Sequence, residues 1–332
     1  MTADTKGSFP DDSSAMPPAI GRAEVRTVAC VGLGLIGTSW ASVFLARGFA
    51  VCATDTEERA WQRALPVIEA NMADLGKIGP VVAGWRKRLR FEPDLGAALQ
   101  QADFVQENGP EQEKLKVELF EKLDRLLAPD VIIASSTSGI PMSTIQKHCG
   151  HPERCIVGHP FTPAHIVPLV EIVGGAKTDP AALAWARAFY ESLGKKVVHV
   201  RKDVPGFLAN RFQTLVLQEA LSLVENGVAT VEEVDEAFVN GPGLRWALYG
   251  PFALTAFSAG EKGIGAALRR YKDHRENVLA SIHPVEVDNA LIDEIERQVG
   301  ELPRLKDSCE ALRDRDRKLL ELRRHLGQHG SG

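Results

Sequence analysis

The sequence predicts an α/β half followed by an all-helical half, and three observations carry that reading. Short β-branched apolar runs alternate with amphipathic stretches as far as about residue 200. A glycine-rich turn joins the first such run to the first helical stretch. After Pro205 the alternation stops and only helical periodicity follows. With 332 residues the chain is long enough for two domains. The expected boundaries are a flexible tail at 1–24, a doubly wound, mostly parallel sheet domain at 25–202, and a helical substrate and dimerisation domain at 203–332.

The tail is expected because its Ser, Pro, Asp and Ala offer little apolar surface to offset ordering entropy. Strand Thr27 to Val31 comes next, then Gly32-Leu-Gly34-Leu35-Ile36-Gly37 and an amphipathic helix from Thr38 to Arg47. Gly32 allows the tight turn, Gly34 lets a pyrophosphate approach the backbone, and Gly37 lets helix and strand pack closely. The helix start offers N–H groups and a positive dipole end to phosphates. Strand Ala50 to Thr54 ends in Asp55, placed to accept bonds from the adenosine ribose and to repel a 2′-phosphate. The cofactor expected is NAD, in a Rossmann-like domain.

A helix is expected from Glu57 to about Leu75, a strand at Leu89 to Phe91 and a short helix at Asp94 to Gln101. Strand Asp103 to Gln106 runs into Glu107-Asn-Gly-Pro and a helix from Glu111 to Leu127. Glu111 and Lys116, just past a strand end, either grip ribose hydroxyls and substrate or complement the helix electrostatically. Strand Val131 to Ala134 leads into Ser135-Ser-Thr-Ser138-Gly, which is loop chemistry or a donor to a substrate oxygen.

The densest chemistry lies from 135 to 175. His159 ends the strand that contains Ile156-Val157, and Glu171 sits inside the apolar strand Leu169 to Val173. A carboxylate in an apolar strand is costly unless it is paired, and His159 on the neighbouring strand is the sensible partner. Such a pair orients an imidazole and fixes its tautomer, as a general base requires. The run from His148 to Cys155 has no trustworthy metal-knuckle spacing, so no metal is expected. Helix Asp179 to Leu193 and strand Lys196 to Val200 complete the first half.

In the second half, Phe207 to Asn226 is expected as a helix, with Asn210 one turn in, where its amide can complete the bonding around a substrate oxygen. Thr230-Val-Glu-Glu233 is a capping box. Arg245 is a candidate clamp for a substrate carboxylate, and Trp246 either walls the pocket or packs in a core.

A net charge of −5 gives no reason to expect nucleic acid or an anionic membrane. Five cysteines without framework spacing suggest reduced thiols. No apolar run would span a bilayer and no signal peptide opens the chain, so a cytoplasmic protein is expected.

The segments GLGLIG, GPEQEKLK, SSTSG, GHPFTPAHIVPLVEIVGG, VPGFLANR and GPGLRWALYGPF, in this order from about residue 27 to 252, resemble the L-3-hydroxyacyl-CoA dehydrogenase superfamily. Within it they are most similar to the λ-crystallin, L-gulonate 3-dehydrogenase and L-carnitine dehydrogenase branch. The resemblance implies His159 as acid/base, Glu171 as its orienting carboxylate, and Ser138 and Asn210 on the reacting oxygen. It further implies Asp55, Glu111 and Lys116 on NAD, and a homodimer. The chain departs from the pattern at Thr162, where the family commonly has Asn, and at Asn210, where carnitine dehydrogenases tend to have Asp.

The expected activity is therefore NAD-dependent oxidation of the 3-hydroxyl of a small free L-3-hydroxy acid. Two alternatives stay open at this point. One is a CoA thioester substrate, with Lys202 and Arg211 available for its phosphates; the other is a non-catalytic NAD-binding protein.

Overall fold

The structure is a computed structural model that describes residues 20–329. It divides into two compact units, the first reaching Phe207 and the second starting at Leu208. The sequence placed that boundary near 202; the difference arises because Phe207 is fully buried in a core of the first unit.

The first unit is built on eight strands: β1 Thr27–Val31, β2 Ala50–Thr54, β3 Leu89–Phe91, β4 Phe104–Glu107, β5 Ile132–Ser135, β6 Cys155–Pro160, β7 Leu169–Gly174 and β8 Lys196–Val200. Their order is β3-β2-β1-β4-β5-β6-β7-β8, parallel throughout except that β6 and β7 run antiparallel. The order reverses between β1 and β4, and the crevice outside the strand ends at such a switch point is where open α/β sheets bind ligands. Strands β1, β4 and β5 are almost wholly buried, as a sheet covered on both faces requires, and β4 buries the polar Gln106 and Glu107 at its end.

Six helices connect the strands: α1 Leu35–Ala46, α2 Ala60–Ile78, α3 Leu95–Leu99, α4 Glu113–Leu126, α5 Met142–Ile145 and α6 Pro180–Ser192. One face of the sheet buries Trp40, Phe44, Phe104 and Tyr190 against α1 and α6, and the other buries Phe120, Leu123, Ile145 and Phe207. The expected helix boundaries shift at their starts. Helix α1 begins at Leu35 because the glycine turn itself supplies its N-cap, and α4 begins at Glu113, leaving Glu111 in the preceding loop.

Of the expected tail at 1–24, residues 1–19 lie outside the described residues. The rest is anchored: Arg22 pairs with Asp103 and Asp130, and its carbonyl accepts from Trp185 Nε1 at 2.9 Å.

The second unit is helical: α7 Ala209–Glu225, α8 Val231–Phe238, α9 Leu244–Trp246, α10 Pro251–Phe257, α11 Gly263–Arg270, α12 Lys272–Ser281, α13 Asn289–Glu301 and α14 Ser308–His329. The capping box forms as the sequence indicated, with Thr230 Oγ1 accepting from Glu233 N and Glu233 Oε2 accepting from Thr230 N. Asn210 falls in the first turn of α7, because the helix starts at Ala209, two residues later than expected. Among the described residues no helix is long and apolar enough to cross a membrane.

Candidate active site

A cleft of about 990 Å³ opens at the carboxyl ends of β1, β2 and β4, lined by Gly32, Gly34, Leu35, Asp55, Glu57 and Arg63 among others. Gly32 has φ +92°, a backbone state L side chains rarely adopt, and Gly37 packs so closely that an added Cβ would stand 1.9 Å from Gly32 O. Gly34 is the opposite case, since a Cβ there would meet nothing within 4 Å. The backbone at Gly34 therefore faces open space. Helix α1 starts at this point with no side-chain cap and no acid in its first turn, leaving its N–H groups for an anion. Asp55 Oδ2 accepts from Leu33 N at 2.6 Å and Oδ1 from Glu57 N at 2.9 Å. A carboxylate offers about four acceptor positions, so capacity is left for two ribose hydroxyls. The cradle fits a dinucleotide. Of the glycine-loop residues expected on the cofactor, Leu35 lines the cleft, whereas Ile36 packs against the core and Gly37 serves helix–strand packing.

The neighbouring end of the sheet, at β4, β5 and β6, is organised by side chains. Glu107, at the end of β4, is wholly buried and takes both oxygens to Lys116 Nζ at 2.9 and 3.0 Å. Ser135 Oγ, its register partner on β5, donates to it at 2.6 Å, and Gly109 N donates at 2.5 Å. Lys116 Nζ also donates to Gly109 O at 3.2 Å. Lys116 is thus buried and held by Glu107 and Gly109, an organising contact that the sequence did not indicate. Sequence reasoning passed over Glu107, because it expected the strand to stop at Gln106 and left this carboxylate in the following loop.

Glu111 lies above that pair, with Oε2 3.8 Å from Lys116 Nζ. Its Oε1 accepts from Thr137 Oγ1 at 2.7 Å, Ser138 N at 2.8 Å, Ser138 Oγ at 3.1 Å and Gly139 N at 3.0 Å. Burial pushes its carboxyl pKa up, but these hydrogen bonds and the Lys116 charge outweigh that and hold it below the usual carboxylate range. One carboxylate oxygen therefore fixes the loop that carries Ser138, where the sequence suggested a ribose contact.

His159 and Glu171 are direct register partners across the antiparallel β6–β7 pair. Nδ1 of His159 and Oε2 of Glu171 are hydrogen-bonded at 2.9 Å, with both side chains buried. An ionised carboxylate can only accept, which selects the tautomer with its N–H on Nδ1. Phe161 and Phe207 wall the imidazole, with ring centroids at 5.0 and 5.6 Å. The peptide Thr162–Pro163 just beyond is cis.

Asn210, Arg245 and Trp246 belong to the second unit, where Arg245 and Trp246 are exposed and Trp246 packs edge-on against Phe238 at 5.9 Å. Among the described residues no group of three His, Cys, Asp or Glu side chains gathers as a metal site, and the five cysteines are unpaired.

Comparison with known proteins adds the following. The model of the 3-hydroxyacyl-CoA dehydrogenase NAD binding domain matches residues 27–204, and that of the same family's C-terminal domain matches 206–300. An L-carnitine dehydrogenase of Streptomyces coelicolor is 40% identical over 306 residues, covering 92% of this chain and 96% of the relative. One of Bacillus cereus is 42% identical over 252 residues, covering 76% and 77%. Among solved structures, a 5-formyl-3-hydroxy-2-methylpyridine 4-carboxylic acid 5-dehydrogenase, described as an NAD+ dependent dismutase, superposes with a TM-score of 0.79. It is 33% identical and covers 92% of this chain and 99% of that one.

Proposed function

The chain belongs to the 3-hydroxyacyl-CoA dehydrogenase family, and on that premise we propose that it oxidises the 3-hydroxyl of a small free L-3-hydroxy acid with NAD. The observation that carries the reading is the His159–Glu171 pair at the carboxyl end of β6, in the same unit as the dinucleotide cradle and the Ser138 loop. A free acid is supported by the names of the relatives, L-carnitine dehydrogenases and a pyridine carboxylic acid dehydrogenase, each of which acts on a small carboxylate.

NAD, held by the glycine turn and Asp55, would supply the hydride acceptor. His159 Nε2 takes the hydroxyl proton, and in the reverse direction returns it to the keto oxygen. Glu171 holds the ring in the required tautomer and steadies the imidazolium as it forms. Ser138, fixed by Glu111, hydrogen-bonds the reacting oxygen. On the second unit, Arg245 offers a two-pronged guanidinium suited to a carboxylate. The protein acts as a cytoplasmic homodimer. Support for dimerisation comes from apolar side chains left open on the second unit, with Phe212 61%, Leu215 67% and Phe252 78% exposed. Support for the compartment comes from its unpaired thiols.

A CoA thioester is the second reading, favoured by the description of the matching family. The deciding measurement is NADH formation across L-carnitine, L-gulonate, L-3-hydroxybutyrate and L-3-hydroxybutyryl-CoA, with His159→Ala alongside. The expected result is turnover of a free acid in preference to the thioester, falling roughly 10²–10⁴-fold in the variant. Preference for the thioester overturns the substrate class, and turnover that survives loss of His159 overturns the mechanism.

A further inference from the structure

The wall of the cofactor cleft at the end of β2 contains a cation that the sequence does not announce. Asp55, Thr56, Glu57 and Arg63 all line it, and Arg63 is the positive charge contributed there by α2. NADP differs from NAD only by a phosphate on the adenosine ribose. A cleft that rejects NADP must repel that phosphate and must also offer it no guanidinium. Asp55 does the first. Arg63 threatens the second, because a guanidinium presents a planar fork that matches phosphate geometry.

That fork is already occupied. Arg63 Nη1 donates to Glu57 Oε1 at 2.5 Å, and Nη2 donates to the other oxygen of the same carboxylate. Glu57 precedes α2, and its own N–H donates to Asp55 Oδ1, so its backbone is tied to the residue that reads the ribose. Both side chains of the pair are more than half exposed, at 59% and 58%. A surface pair of this kind adds little to fold stability, which leaves its effect on the cleft as the one to explain.

We propose that Glu57 is a specificity-determining residue: by occupying both arms of the Arg63 guanidinium it withholds a phosphate-binding fork from NADP. The cleft rejects a 2′-phosphate twice, through the charge of Asp55 and through the masking of Arg63. This inference rests on the reading of the cleft as the NAD site.

Equilibrium titrations with NADH and NADPH, followed by nicotinamide fluorescence, test it on the full-length protein without any turnover. In Glu57→Ala the ratio of NADPH to NADH affinity rises about tenfold, the lower end for a charge-assisted contact at an exposed site. Glu57→Gln, which keeps one acceptor for Arg63, gives a smaller rise. Glu57→Ala/Arg63→Ala returns the ratio to near the wild-type value, because the gain belongs to the arginine. An unchanged ratio in Glu57→Ala overturns the proposal. So does a gain that persists in the double variant, since repulsion by Glu57 alone would then be the cause. Failure of the wild-type protein to bind NADH would instead overturn the cofactor reading itself.

Discussion

The two ends of the crevice are built by different means. At β1 and β2 the site is a shape of the backbone: Gly32 turns, Gly37 lets α1 pack against the turn, and Gly34 presents peptide to open space. At β4, β5 and β6 it is a set of paired polar side chains, two buried and one partly exposed: Glu107 on Lys116, Glu171 on His159, and Glu111 on the Ser138 loop. A backbone-built site is specified locally, within a few residues. A charge-built site is specified by partners far apart in sequence, and its members fail together when one is removed.

The largest effect is expected at the charge-built end. Lys116→Met leaves the Glu107 carboxylate buried without its cation, and breaking such a pair costs about 3–5 kcal/mol. Urea unfolding should show that loss directly. Adding Glu107→Gln removes the stranded charge and should recover a large part of it. If Lys116→Met costs no more than a surface substitution, the contrast between the two ends is wrong.

The backbone-built end makes the opposite prediction, smaller in size. Gly34 has φ −69°, which alanine accepts, and the added methyl meets no protein atom. Gly34→Ala should therefore leave the urea midpoint almost unmoved. NADH binding should weaken roughly 10- to 100-fold, as an overpacked contact of about 1–3 kcal/mol implies. Gly37→Ala, whose Cβ would stand 1.9 Å from Gly32 O, should damage fold and binding alike. Equal stability losses in the two variants would remove the distinction drawn between these glycines.

The same contrast explains what the sequence disclosed. Strand positions, the glycine turn and Asp55 were legible because each is a local pattern of apolar period, turn residue and strand end. The His159–Glu171 pair was legible because a carboxylate inside an apolar strand demands a partner, and the adjoining strand held one candidate. Glu111 and Lys116 were singled out by their place just past a strand end, but the partners that hold them were not. Lys116 meets Glu107 because α4 folds back over the end of β4, and Glu111 meets Thr137 through Gly139 because β5 lies beside β4. Neither juxtaposition has a signature in spacing. Arg63 was passed over for the same reason, since its role depends on Glu57 lying beside it in the folded cleft.

The smallest effect is also the most specific to the charge-built end. Glu111→Gln keeps a carbonyl oxygen for the N–H groups of Ser138 and Gly139 but removes the charge. The difference between charged and neutral hydrogen bonds, discounted for partial exposure, is about 1 kcal/mol. For a unit of this size that lowers Tm by about 2–4 °C at pH 7. The sign of its pH dependence follows from the direction of the shift. Burial opposes ionisation, yet the donors and Lys116 hold the folded-state pKa of Glu111 below its unfolded value of about 4.3. The stabilisation is therefore fully present above that unfolded value and is lost as pH falls through the lower, folded one. Thermal melts of wild type and Glu111→Gln should be separated at pH 7, stay separated at pH 5 and converge as the pH drops below about 4. A gap that persists into acid would mean the Ser138 loop is held by packing and neutral hydrogen bonds, and the carboxylate would lose its place in the charge-built end of the site.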